Sequence, residues 1–217
     1  MDYENVLQLA KQRRSIRRFK PDPVPDEYIE QIIEVARWAP SGANTQPWDF
    51  VVVKKEELKQ KIIQFIEEQR PLTRKMDLTR RSDRDVARVG EPHPLHAPVF
   101  IILVGDPRTI EAYPVYTGLQ RGQSNFEASL ANAFIYMHLA ATSLGLGSGW
   151  VSATRNFYVQ VMTKDLLGIP KELVIFDTMT LGYPAVAPPP RKVRARADVL
   201  HYDSYDTTKF RVNPLER

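Results

Sequence analysis

Four stretches of the chain carry side chains that could do chemistry. The first is Arg13-Arg14-Ser15-Ile16-Arg17, three guanidiniums and a hydroxyl in five residues. Arginine forks meet phosphate oxygens two at a time, so the cluster suits an anionic ligand. The same residues also read as a solvated basic turn or a contact to nucleic acid. The second is Pro40-Ser41-Gly42-Ala43-Asn44-Thr45-Gln46-Pro47-Trp48, which offers Ser, Asn and Gln side chains beside a flexible backbone. Such groups can hydrogen-bond the edge of a flat heterocycle, or simply form a turn that anchors Trp48 in the core. The third is Gly145-Leu146-Gly147-Ser148-Gly149. A dinucleotide-binding glycine fingerprint opens a helix after a strand, whereas these glycines follow a helix, so close backbone approach to a ligand or another chain explains them better. The fourth is the late cluster Arg191, Lys192, Arg194 and Arg196, either further cations for the same anion or a solvated charge run.

What is missing narrows the chemistry. The chain has no cysteine, which excludes thiolate nucleophiles, disulfides and Cys-ligated metal or haem. It contains neither a GxSxG elbow nor an HExxH pair, and no Ser/His/Asp set stands out. His93 and His96 have no Asp, Glu or Cys between them and few oxygen ligands nearby, so no metal is expected, and His138 reads as a satisfied core or interface histidine. Catalysis, if present, then falls to a bound cofactor.

The elements that must position these groups follow from periodicity and punctuation. Helices are expected over 2–12 (capped by Asp2), from Asp26 to Pro40, over 56–68, over 126–144 and over 156–167, the last closed by Gly168. The 126–144 helix is apolar almost all round, the mark of a central buried helix. Strands are expected over 49–53, 99–104 and 174–181. Residues 70–97 hold seven basic against four acidic side chains and read as a mobile surface excursion. From Tyr183 onward, proline and basic residues replace the apolar pattern, and the tail reads as wrapping a surface.

At 217 residues and 43% hydrophobic, the chain fits a single globular domain. No stretch reaches the ~20 apolar residues of a membrane span, and residues 1–4 lack a signal-peptide layout, so a cytoplasmic protein without membrane partners is expected. The net charge of +4 is local: residues 13–20 hold five cations and 191–196 four, which leaves 30 − 9 = 21 basic against 26 acidic elsewhere. A nucleic-acid binder would be diffusely basic with interleaved aromatics, so no nucleic-acid partner is expected.

Together these segments resemble the FMN-dependent nitroreductase family. The match runs from Arg13-Arg14-Ser15-Ile16-Arg17-Arg18-Phe19 through Ala39 to Trp48, then residues 140–150, to Leu181-Gly182-Tyr183-Pro184 and the basic tail. The resemblance implies an α+β fold, a mostly antiparallel central sheet flanked by helices, in an intertwined homodimer with FMN at the interface. One domain would cover 1–217, with 70–125 as a variable lid and 184–217 as the dimer-wrapping tail. It implies that Arg13, Arg14, Ser15 and Arg17 hold the FMN phosphate and ribityl chain, with Lys192 and Arg194 approaching the phosphate from the tail. Pro40, Ser41, Gly42 and Asn44 would reach the flavin from the other subunit. Trp150, Val151, Ser152 and Ala153 would line the ring, with the Ser152 backbone near its N5.

The implied reaction is ping-pong. NADH or NADPH would reduce the flavin, and an electron-poor acceptor such as a nitroaromatic or quinone would reoxidise it. Tyr113, Tyr116 and Phe126 are the candidate lid or stacking residues. The same fold also hosts flavin-cleaving benzimidazole synthases and reductive dehalogenases, which stand as alternatives. The chain departs from many relatives at Ile135-Tyr136, where a Gln-Asn pair is common.

Overall fold

The computed structural model describes residues 2–80 and 95–212, and falls into two units, residues 1–187 and 188–217. His93 and most of the 81–97 part of the expected excursion lie outside the described residues.

At the centre of the first unit is a four-stranded, wholly antiparallel sheet in the order β1-β2-β4-β3. Its strands are β1 (Trp48–Val53), β2 (Val99–Gly105), β3 (Gly147–Val151) and β4 (Val174–Gly182). β2 lies inside the sheet and is buried along its whole length, so alternate side chains serve two cores. Val99, Ile101 and Leu103 face one cluster with Ile29, Ile32, Leu130 and Phe134; Phe100, Ile102 and Val104 face the other with Ile62, Ile66 and Val159. The first cluster places α2 (Asp26–Arg37) and α4 (Val115–Ser143) on one face of the sheet. The second places α3 (Glu56–Arg80) and α5 (Phe157–Leu167) on the other. The result is an α+β sandwich of helices, sheet and helices, as expected.

Helix ends follow local chemistry. Asp2 caps α1 (Tyr3–Gln12) by accepting from the Asn5 N–H at 2.9 Å. Asn156 caps α5, and Gly168 closes it in the left-handed conformation at φ 66°. Other boundaries differ from expectation. Pro25, rather than Asp26, occupies the cap of α2, and Asp26 is its first helical residue. The helix α2 stops at Arg37, before Pro40. The helix α3 runs on through Pro71 to Arg80, so the start of the excursion is helical. The helix α4 begins at Val115, eleven residues before the expected start. Gly122 lets α4 close on the turn Pro107–Ala112: a Cβ there would sit 2.5 Å from an Ile110 methyl.

No helix among the described residues is long and apolar enough to cross a membrane. Among its described residues, the second unit contains the short turns Arg196–Asp198 and Thr207–Lys209.

Candidate functional site

The first and third motifs meet at one edge of the sheet. β3 is an outer strand, and the segment after α1 lies along it: Ser15 bridges Ser148, and the Ile16 N–H donates to the Ser148 carbonyl at 2.8 Å. The segment then passes to residues 183–185, with Lys20 N–H donating to the Tyr183 carbonyl and Ala185 N–H to the Arg18 carbonyl. Extended backbone alternates faces, so Ile16 is buried while Ser15 and Arg17 are exposed. The glycines explain the approach. A Cβ on Gly149 would lie 2.7 Å from the Ile16 carbonyl oxygen and 2.5 Å from Thr180 Oγ1; one on Gly147 would lie 2.8 Å from the Ile16 side chain. Close backbone approach is therefore the reason for the glycines, but what approaches is the chain's own arginine segment. Gly147 and Gly149 lie within β3 itself.

A cavity of about 90 Å³ opens where these pieces meet, lined by Ser15, Arg17, Phe19, Trp150, Val151 and Thr180 among others. Phe19, Leu95 and His96 also line an adjoining cleft of about 460 Å³. Among the described residues, neither Arg14 nor Arg17 has an ion-pair partner. At the cavity the chain thus presents the Arg17 fork and the Ser15 hydroxyl, a donor pair that fits a phosphate.

The wall behind the cavity is an aromatic box built on α4, β3 and β4. Trp150 stacks on His138 (5.7 Å, 13° between planes) and meets the edge of Phe134 at 4.4 Å. Its indole N–H donates to Asp177 Oδ2 at 2.7 Å. Asp177 is buried, and desolvation raises its pKa against the opposing pull of the Trp150 hydrogen bond and the Arg155 charge. Its Oδ1 has no hydrogen-bond partner, and Arg155 Nε stands 3.9 Å away. His138 Nδ1 pairs with Ser148 Oγ at 2.6 Å, while its Nε2 is buried without a partner. Burial, with the nearby Arg13 charge adding to it, lowers the His138 pKa to about 4. The residue is a core histidine as expected, but only half satisfied.

The second motif lies at the opposite edge, leading into β1, three strand spacings from β3 or about 14 Å. Its backbone is strained: Ala43, Asn44 and Gln46 have φ of 49°, 53° and 44°. For a residue with a Cβ this region costs on the order of 1–2 kcal/mol. The helix α4 holds the loop down. Ser129 Oγ accepts from the Gly42 N–H at 3.1 Å, and the Asn132 amide donates to the Pro40 carbonyl at 3.0 Å. Within the loop, Ser41 Oγ accepts from the Gln46 N–H at 3.0 Å.

Two of the three expected lid residues are core residues instead. Phe126 is 3% exposed, packed under Gly105, where α4 must cover the sheet. Tyr113 is 9% exposed and its ring props the loop: a Cβ on Gly42 would lie 2.2 Å from the Tyr113 hydroxyl. Only Tyr116, 72% exposed at the start of α4, stands open to solvent.

Within one chain, then, Ser15, Arg17, Trp150 and Val151 converge, with Ser152 and Ala153 following in the turn Ser152–Arg155. Pro40, Ser41, Gly42 and Asn44 stand apart from them. Lys192 and Arg194 belong to the second unit, where Arg194 donates to the Asp198 carbonyl at 2.7 Å. Asp177, Thr180 and the pairing of His138 with Ser148 were missed from sequence. Asp177 did leave a signal, as the lone charge within the strand sequence VIFDTMTLG.

Residues 10–183 match the profile of the Nitroreductase family. An Archaeoglobus fulgidus protein named "Putative NADH dehydrogenase/NAD(P)H nitroreductase" is 31% identical over 83% of this chain and 86% of its own. Iodotyrosine deiodinase 1 of Rattus norvegicus is 29% identical over 85% of this chain and 64% of its own. Among solved structures, iodotyrosine deiodinase bound to FMN and 3-iodo-L-tyrosine superposes with a TM-score of 0.72 at 26% identity, covering 92% of this chain and all of the other.

Proposed function

The chain belongs to the nitroreductase family, and from that premise we propose that it is an FMN-dependent oxidoreductase carrying reducing equivalents from NADH or NADPH to a small electron-poor acceptor such as a nitroaromatic or quinone. The observation that carries this reading is the cavity at the β3 edge, where Ser15 and Arg17 meet Trp150 and Val151. Arg13, Arg14, Ser15 and Arg17 bind the phosphate and ribityl chain, with charge and hydrogen bonds that water would otherwise supply. When bound, FMN supplies two-electron exchange, first with the nicotinamide and then with the acceptor. Trp150, Val151, Ser152 and Ala153 would support the ring, with the Ser152 backbone available to hydrogen-bond it. The box of His138, Phe134 and Asp177 fixes the Trp150 plane. The protein contributes orientation and fixed dipoles, with no dedicated acid or base.

The working unit is a homodimer. Within one chain the Pro40, Ser41, Gly42 and Asn44 loop lines neither the cavity nor the adjoining cleft. The Pro40, Ser41, Gly42 and Asn44 loop of a second copy completes the site. Large apolar side chains left open on one chain support such a partner: Tyr3 and Val6 on α1, Trp38 after α2, and Val115 and Leu119 on α4 are each more than half exposed.

The experiment is spectral. The purified protein is yellow, with flavin absorbance near about 450 nm, and anaerobic mixing with NADH or NADPH bleaches it; a nitroaromatic or quinone then restores the colour. A colourless protein, or a flavin that neither nicotinamide bleaches, overturns the assignment. The likeness to iodotyrosine deiodinase favours a second reading, reductive removal of halogen from a halogenated aromatic. Turnover of 3-iodotyrosine in place of nitroaromatics would select it.

A further inference from the structure

The loop between α2 and β1 holds three side-chain-bearing residues at positive φ: Ala43, Asn44 and Gln46. Strain of this kind persists only where the surroundings over-determine it. Three residues, each outside the loop and each contacting its start, supply that support. Ser129, 1% exposed, accepts from the Gly42 N–H and donates its own hydroxyl to the Asn125 carbonyl at 2.7 Å. Asn132, one turn further along α4, donates to the Pro40 carbonyl. Tyr113 fills the space that Gly42 leaves by lacking a Cβ, and its buried hydroxyl has no partner. The loop ends are thus pinned at Pro40, Gly42 and Pro47, whose carbonyl accepts from the Asp106 N–H at 2.8 Å. Ala43 and Asn44 remain exposed at the crest.

We propose that Tyr113, Ser129 and Asn132 are positioning residues that hold this loop in its strained form, so that Ser41 and Asn44 are presented ready-made to the flavin of the neighbouring subunit. The inference rests on the homodimeric flavin site proposed above. Pre-organisation of this kind appears in affinity, because the ordering is completed before the ligand arrives. Loss of one support lets the backbone relax to negative φ and removes the presented geometry.

The test uses Ser129→Ala and Asn132→Ala, each alone and each combined with Ala43→Gly. A glycine occupies the left-handed region without strain, so it lowers the cost of the presented form. Two readouts are taken: hydrogen exchange at the amides of residues 42–46 in the cofactor-free full chain, and the FMN dissociation constant. Each single variant is expected to speed exchange in this segment and to weaken FMN binding by roughly fivefold to tenfold, about what one buried hydrogen bond is worth. Ala43→Gly is expected to recover part of that loss, which a merely general destabilisation would not allow. Unchanged exchange in both Ser129→Ala and Asn132→Ala overturns the proposal. Faster exchange with unchanged FMN affinity, in a protein that still binds FMN, overturns the presentation of this loop to flavin. Absence of any FMN binding by the parent chain sinks the underlying reading instead.

Discussion

The two motif-bearing edges of the sheet are assembled by opposite means. At the β3 edge, backbone meets backbone: Ile16 lies on Gly147 and Gly149, and the missing Cβ atoms make the contact possible. At the β1 edge, side chains hold a strained backbone: Ser129 and Asn132 on α4 tether the 40–46 loop, and Tyr113 props it. The first edge is relaxed and intolerant of added atoms. The second is strained and intolerant of lost hydrogen bonds. An active site drawn from both therefore has one wall set by steric fit and one set by tethers.

Adding a methyl group should separate the two most sharply. Gly149→Ala is expected to cost about 3 kcal/mol in urea unfolding, toward the upper end of overpacking, because the Ile16 carbonyl is backbone and must move. Adding Thr180→Ala removes one clash but leaves the carbonyl, so stability should stay low. Full recovery in that double variant would show that the arginine segment is not locked to β3.

Acid stability probes the box behind the β3 edge. The His138 pKa is depressed to about 4 from 6.5, so the unfolded chain takes up this proton first as pH falls. The stabilisation is complete above about 6.5 and is lost toward about 4, for a total of about 3 kcal/mol. Asp177 has the opposite sign, since its raised pKa makes its ionised form the costly one. Comparing the parent with His138→Gln cancels Asp177 and isolates the histidine. Identical pH profiles for the two proteins would contradict the burial of a neutral imidazole.

At the strained edge the matching change is smaller and reversible. Gly42→Ala meets the Tyr113 hydroxyl at 2.2 Å and is expected to cost about 1–3 kcal/mol. Tyr113→Phe removes that oxygen, so the double variant should regain much of the loss, a coupling that a mutant cycle measures directly. Strict additivity would show that Tyr113 does not prop the loop.

Much of the fold was legible because it rests on local chemistry. Asp2 as a cap, Gly168 as a helix stop and the 99–104 apolar run all match the observed elements. The meeting of the arginine segment with the glycine strand was not legible, because Gly147 and Gly149 by themselves say only that something approaches the backbone closely. The errors in the segment before α4 and in its first turns share a cause: burial set by distant contacts. Gly122 disfavours a helix on propensity alone, yet it lets α4 pass closely over the turn that contains Ile110. Tyr113 and Phe126 sit in a polar, aromatic stretch that suggested a lid, but Gly42 and Gly105, each lacking a Cβ, make room for them in the interior. Tethers such as Ser129 and Asn132 leave no mark in sequence, because a serine or asparagine on a helix becomes a support only once a loop is folded onto it.

Bound flavin tests the central claim most directly. Ser15 and Arg17 line the cavity but are exposed, so Ser15→Ala with Arg17→Ala should leave the unfolding midpoint of the cofactor-free chain nearly unchanged. The parent is expected to carry FMN in a one-to-one ratio to chain, and the double variant to be isolated mostly without it. A colourless parent, or a double variant that keeps its full complement of FMN, would contradict the placement of the cofactor at the β3 edge.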